Sequence, residues 1–330
     1  MLSMAVKTKF TAYHQGQIAG KNAVVLTSEL QRQWLPNGVD TGTRIQEENS
    51  IQMASNTQDT LAALRKWRLE RDDTGPFRVY RDAKGTVYAS VTHILKETSD
   101  QTGLERWAAR LGSAEATSQR NVAANRGNLA HSQAEYLLKT AQQLARNTAN
   151  KRNAIHWDDN GLARIPATIT QWALKKVHPN LPSVGWSASG YARGLTDWIV
   201  ANVTEIFASE FSIHHPAGFA GTCDALLGIK GHSGLWVADW KTSVGRKTKT
   251  DDETGLERLP QGHSYIDQCG AYSLGLRHLT GLKPAGALVV LARRCGAPNV
   301  HVMDDAELAQ AEDAYLARVV DYYARADTPA

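Results

Sequence analysis

"GLWVADWKTS", residues 234–243, decides how the rest of the chain is read. Its Leu, Trp, Val and Ala are the residues of an interior strand, yet it also carries Asp239 and Lys241. Side chains alternate faces along a strand, so these two share one face, roughly 7 Å apart. Trp236, Ala238 and Trp240 take the opposite face and form a packing surface. A buried carboxylate and a buried ammonium both lose hydration, so each needs a partner or a metal ion.

The neighbouring segments sharpen the anomaly. "SEFSIHHP" (209–216), "GFAGTCDALLGIK" (218–230) and 234–243 read as three consecutive strands joined by Gly- or Pro-containing turns. Asp224 lies inside the second, where Asp has poor β propensity. The short turn "KGHSG" makes pairing of the second and third strands the default, which brings Asp224 beside Asp239. Two carboxylates converging in an apolar sheet repel unless a cation bridges them or one takes a proton. Oxygen ligands of this kind suit a hard ion, Mg²⁺ or Mn²⁺.

Outward from this core the pattern is α/β or α+β: a mixed β-sheet flanked by helices, with helical and hairpin additions on its N-terminal side. "FRVYRDAKGTVYASVTHIL", 77–95, reads as two strands around a Lys-Gly turn, and helical character runs from about 103 to 146. "YARGLTDWIVANVTEIF", 190–207, is a helix candidate. A polar, charged loop covers 244–260, a helix 261–281 ends at Gly281, "AGALVVLARR" and "NVHVM" are strands, and 304–326 is a terminal helix. The expected organisation is an N-terminal arm over 1–60, weakly ordered, with a short helix near 60–70. One domain follows over 61–330, carrying an insertion or cap near 147–185.

Bulk properties narrow the class. The chain has 330 residues, 42% hydrophobic and 21% charged, with net charge +4, mean hydropathy −0.39 and pI near 8.9. Mild basicity is compatible with a polyanionic partner. The longest apolar run, "GALVVLA" at 286–292, is too short to span a bilayer. Three cysteines, none in a C-x-x-C pair, speak against a disulfide framework or a thiolate-bound cluster and fit a reducing cytoplasm. The first acidic residue is Glu29, as in transit peptides, but the preceding stretch has Lys and no Arg. It reads as a flexible tail, with organellar import left as an alternative.

Further motifs fall in order around Asp224, Asp239 and Lys241. Upstream, "RGNLAHSQAEYLL" (126–138) places His131 and Glu135 at i, i+4 on one helical face, after Arg126. Downstream, "DQCGAYSLGL" (267–276) does the same with Gln268 and Tyr272. Taken singly, each pair reads as a solvated or core pair. Together with "AGTCD" and D-x(14)-D-x-K, they resemble the PD-(D/E)XK nuclease superfamily in its RecB-like branch, over roughly 77–325. "VYASVTHIL" is similar to a segment of the phage and mitochondrial-genome-maintenance exonucleases of that branch, with Ala89 replacing the usual Pro.

The resemblance implies a restriction-endonuclease-like fold and a metal-dependent deoxyribonuclease, an exonuclease acting on DNA ends or single strands. His131, Asp224, Asp239 and the backbone carbonyl of Trp240 would hold Mg²⁺ or Mn²⁺. Lys241 would orient or deprotonate a water, its pKa lowered by partial burial. Glu210 matches an acidic residue that precedes the motif strands. Arg126, Glu135, Gln268 and Tyr272 would position DNA, and Arg246, Lys247 and Lys249 are candidates for phosphate contacts. No iron–sulfur cluster is implied, because the cysteine cluster of those relatives is missing. The implied setting is a bacterial or phage-infected cell, with replication or recombination proteins as partners. The competing readings are a non-cleaving DNA-binding module, a structure-selective endonuclease, and a different metal hydrolase, which H-E-x-x-H would signal and the sequence lacks. His214–His215 is excluded as a metal pair because adjacent strand residues face opposite ways.

Overall fold

Burial and alternation carry the three strands just described into the centre of a mixed sheet. The computed structural model describes residues 59–327, apart from 63, 65–68, 246, 252–254 and 256. The arm over 1–60 lies almost wholly outside the described residues, as do residues 63 and 65–68 of the short helix expected near 60–70; of the latter, Leu61 and Leu64 are buried against the core.

The chain begins with a meander, β1 (Glu70–Asp72), β2 (Val79–Arg81) and β3 (Val87–Ser90), followed by helices α1 (Val91–Thr98), α2 (Thr102–Leu111) and the long α3 (Ser113–Lys151). A two-stranded ribbon, β4 (His156–Trp157) and β5 (Ala163–Arg164), precedes α4 (Ala167–Val177) and α5 (Trp186–Asn202). Next come β6 (Val203–His215), β7 (Phe219–Ile229) and β8 (Trp236–Thr242). A second ribbon, β9 (Lys249–Thr250) with β10 (Glu257–Arg258), leads to α6 (Ser264–Thr280), β11 (Gly286–Ala292), β12 (Asn299–Met303) and α7 (Asp305–Asp327).

The main sheet has eight strands in the order β1-β2-β3-β7-β8-β11-β12, with β6 paired to β7 along its length. β3–β7 and β8–β11 are parallel and the other pairs antiparallel. One face of the sheet packs on α1, α6 and α7, through residues such as Val237, Val289, Tyr272 and Tyr315. The other packs on α3, α4 and α5, through Trp240, Ala238, Leu137 and Leu195. Trp236, Ala238 and Trp240 thus face one helical layer and Val237 the other, as alternation requires.

Three boundaries differ from the sequence reading. The second strand of the 77–95 hairpin stops at Ser90, whose hydroxyl accepts from the His93 amide at 3.1 Å and caps α1. The helix read over 190–207 ends at Asn202. β-branched Val203, Thr204 and Ile206 instead open β6, with irregular register against β7 at that end. The expected cap near 147–185 is part of the helical layer, since Ile169, Ala173, Leu174 and Val177 of α4 are buried against α3 and α5.

β7 forks. β6 occupies one of its edges from Phe219 to Ile229. The opposite edge takes β3 at Phe219 and Ala220, and β8 at Ala225 to Leu227. Between those pairings this edge of β7 has no ladder partner among the described residues, and Asp224 sits in the gap.

Candidate active site

The register fixes which acids meet. Ser209↔Ala225 and Phe211↔Cys223 flank Glu210 and put it opposite Asp224. Ala225↔Ala238 puts Asp239 opposite Asp224 on the other side. Three adjacent strands therefore each contribute one carboxylate to a single row. Glu210 reaches its place through a left-handed backbone, φ 49°, a conformation L-residues adopt at a cost of about 1–2 kcal/mol.

His131 enters the row from α3. Its Nδ1 lies 3.3 Å from Asp224 Oδ1, while the Trp240 amide donates to Asp224 Oδ2 at 2.6 Å. Asp224 thus accepts a bond that a ladder carbonyl would otherwise take. A strand residue's N–H and C=O leave the same edge, so the Trp240 carbonyl is directed to this gap as well. Ligand atoms of His131, Glu210 and Asp224 all lie within 4.8 Å of one another. Asp239 stands beside that trio and is fully buried, with Lys241 Nζ 2.5 Å from its Oδ2. Neither Asp239 oxygen receives a directed hydrogen bond among the described residues. Gly221, at the head of the "GTCD" run, is closely walled: a Cβ would meet Val91 Cγ2 at 3.0 Å and the Tyr272 ring at 3.1 Å, so a side chain there would push one of them aside.

Titration behaviour follows from this crowding. Burial, reinforced by Asp224, pushes Glu210 up to about 8. Burial likewise raises Asp239 to about 6, with Lys241 opposing and Asp224 adding to the shift. Burial pulls His131 down, but the Asp224 carboxylate outweighs it and holds the imidazole at about 8. Asp224 itself is lowered: burial works against the shift, and His131, Lys241 and the Trp240 amide overcome it. Lys241 reverses its expectation. Burial alone would depress it, but Asp239 and Asp224 hold its proton and raise it. Lys241 is therefore a charged donor wherever Asp239 and Asp224 stand beside it un-neutralised.

The remaining residues divide. Glu135 follows His131 by one turn and pairs with Lys139 at 2.5 Å. Arg126 lays its guanidinium over the Tyr191 ring at 4.7 Å, between α3 and α5. Gln268 and Tyr272 are buried and bonded to each other, Nε2 to hydroxyl at 2.6 Å, inside the α6 packing layer. Lys247 donates to the Tyr265 hydroxyl at 2.8 Å, Lys249 lies exposed on β9, and Arg246 lies outside the described residues. Tyr265 was not foreseen. Its ring lies under Lys241 at 5.1 Å and under Lys247 at 4.7 Å. Its place one turn before Gln268 on α6 is the signal that could have found it.

The donor set fits a hard divalent cation: the Glu210 and Asp224 carboxylates and the His131 imidazole, with a strand-edge carbonyl and the buried Asp239 carboxylate, whose acceptor capacity is unfilled, beside them. No helix among the described residues is long and apolar enough to cross a membrane.

The profile of the PD-(D/E)XK nuclease superfamily matches residues 100–328. No curated protein matches the sequence. Among solved structures, a candidate exonuclease from Eubacterium rectale aligns at 13% identity over 61% of this chain and 68% of its own, with a TM-score of 0.30. An alkaline exonuclease from Laribacter hongkongensis aligns at 16% identity over 46% of this chain and 68% of its own, with a TM-score of 0.23.

Proposed function

The chain belongs to the PD-(D/E)XK nuclease superfamily, and from that membership we propose that it is a divalent-metal-dependent deoxyribonuclease, an exonuclease working on DNA ends or single strands. The observation that carries the reading is the row of Glu210, Asp224 and Asp239 closed by His131 and Lys241. Nothing in ordinary packing rewards three carboxylates in one row of a buried sheet.

His131, Glu210, Asp224, Asp239 and the Trp240 carbonyl would hold Mg²⁺ or Mn²⁺. When bound there, such an ion polarises a phosphodiester and acidifies a water. The Trp240 amide fixes the Asp224 carboxylate, and Asp224 in turn orients the His131 ring. Lys241, charged and held between Asp239 and the Tyr265 ring, places a donor beside the attacked phosphate and offsets the charge that builds there. Gln268 and Tyr272 act through packing: their mutual bond fixes the ring against which Gly221 and the start of the "GTCD" run are seated. Glu135 tethers Lys139 along the same helix face. Lys247 and Lys249 meet DNA beyond the site.

The test is digestion of end-labelled single-stranded, duplex and closed circular DNA with Mg²⁺ or Mn²⁺. Cleavage of linear DNA that spares closed circles, and that Asp239→Ala and Lys241→Ala abolish, supports the reading. Undiminished cleavage by either variant overturns the centre. Tight metal-dependent binding of DNA with no cleavage of any form would make the protein a binding module.

A further inference from the structure

Tyr265 stands in the first turn of α6, and its surroundings fix its ring. The half-buried side chain packs against the core on the α1, α6 and α7 side of the sheet. His263, the N-cap of α6, accepts the Tyr265 amide on Nδ1 at 3.3 Å, and its ring lies 4.4 Å from the Tyr265 ring. Burial first, and then Lys247, lowers His263 to about 4, so it adds no charge beside the ring at neutral pH. Two lysines then meet on this one residue. The Lys241 Nζ lies 5.1 Å from the ring centroid. Lys247, from the loop that follows β8, donates to the hydroxyl at 2.8 Å. A cation within about 6 Å of an aromatic centroid is attracted to the negative face of the ring. Packing accounts for an apolar side chain at this place. It does not account for two ammonium groups, which repel each other, gathered on one ring.

The structure sets Lys241 against two groups, the Asp239 carboxylate and the Tyr265 ring. The carboxylate also belongs to the row that would hold the divalent ion. An ion there takes up the Asp239 charge and repels an ammonium beside it. The carboxylate then lets Lys241 go, and the ring, which has no charge to neutralise, stays. We propose that Tyr265 is a positioning residue: its ring keeps the Lys241 ammonium at the acid row when an ion occupies it, and its hydroxyl ties Lys247 and the loop after β8 to the same point. The inference rests on the nuclease reading and adds a residue that touches neither ion nor phosphate. The ring acts through Lys241 and the hydroxyl through Lys247, so the two roles separate.

The experiment compares Tyr265→Phe with Tyr265→Leu in the full-length protein. Both remove the hydroxyl, and only the second removes the ring. The first readout is the Lys241 ammonium signal in a proton–nitrogen correlation spectrum, assigned by its loss in Lys241→Gln and followed with and without Ca²⁺. A ring face shields a group above it. The signal should therefore sit upfield in wild type and Tyr265→Phe and lose that shift in Tyr265→Leu, most clearly with Ca²⁺ present. The second readout is steady-state cleavage. Tyr265→Leu should lower kcat about tenfold, in the range of a partly desolvated cation on a ring, while Tyr265→Phe stays within about threefold of wild type. Any rise in KM should be common to both variants, since both release Lys247. Stepwise fluorination of the ring in Tyr265→Phe keeps its shape and drains its negative face, so kcat should fall in step, and this series decides the matter if Tyr265→Leu misfolds. Equal loss of kcat in the two variants gives the effect to the hydroxyl and overturns the proposal. So does a Lys241 signal and a kcat that the loss of the ring leaves untouched. The two readings fail separately. If wild type cleaves no form of DNA, the nuclease reading falls and the ammonium signal alone decides: a shift lost in Tyr265→Leu keeps Lys241 on the ring, and an unmoved signal overturns the proposal.

Discussion

Two pairs of acids, Asp267 with Glu312 and Asp224 with Asp239, are buried in this molecule to a similar degree and treated in opposite ways, the second pair with half-buried Glu210 beside it. In the seam between α6 and α7, Asp267 receives the Arg318 Nε at 2.6 Å, and Arg318 goes on to the Thr98 carbonyl at 3.1 Å. Glu312 receives the Ser273 hydroxyl at 2.6 Å and pairs with Arg277 at 3.0 Å. Each carboxylate there has its own cation. In the fork of β7, Glu210, Asp224 and Asp239 share His131 and Lys241, and Asp239 accepts no directed hydrogen bond among the described residues. Burial does not separate the two sets. What separates them is whether the acids outnumber their partners. The seam is a lock between helices, and the fork is a charge deficit waiting for a cation.

That contrast can be broken by substitution. Lys241→Gln is expected to lower the cleavage rate by about 10²–10³-fold, the range for losing one preorganised donor at a developing charge, with far-UV circular dichroism unchanged. Arg318→Ala should do the reverse. It leaves Asp267 buried without its partner and should cost about 3–5 kcal/mol in urea unfolding, with activity per folded molecule retained. If the seam variant lost activity and kept stability, the distinction would collapse.

Ion binding sharpens it. Saturating Mn²⁺ at about 100 times its dissociation constant should stabilise the protein by about 2.7 kcal/mol through linkage. Glu210→Gln should reduce that gain in a thermal scan, whereas Arg277→Gln in the seam should leave it unchanged.

A third cluster, farther along β6, sets the acid limit. Burial first, and then His278, pushes His214 down to about 4 and His215 to about 3. Their folded pKa values lie below the unfolded value near 6.5, so the unfolded chain binds protons first. Their contribution to stability is complete above about 6.5 and falls as the pH drops toward 4, by up to about 1.4 kcal/mol per pH unit for each histidine. Urea midpoints at about pH 7 and pH 5 measure it. The smallest effect is expected for Tyr272→Phe, which removes one hydrogen bond with Gln268 and should cost about 1 kcal/mol.

Much of this was legible in the sequence. Alternation in "VADWKTS" gives the shared face of Asp239 and Lys241, and the short turn after β7 gives Asp224 its neighbour. Helical spacing aims His131 and Glu135 one way. What stayed hidden depends on distant partners. Val203 to Phe207 follow an apolar helix without a break, and only pairing with β7 makes them strand. Gln268 and Tyr272 look like a pair turned outward because spacing reports a shared face and not what covers it. The raised pKa of Lys241 was beyond reach, since it depends on two carboxylates outweighing burial.

The acid row also has a kinetic side. β6, β7 and β8 follow one another through short turns, so their carboxylates meet as soon as that meander closes. His131 belongs to a helix far earlier in the chain and docks across a long loop. Hairpins form in about 1–10 μs, whereas long-range docking waits on loop-closure entropy. The chain therefore gathers like charges before the imidazole that offsets them arrives. Refolding should accelerate when that early repulsion is removed, either by Mn²⁺ or by the neutral amide of the Glu210→Gln variant.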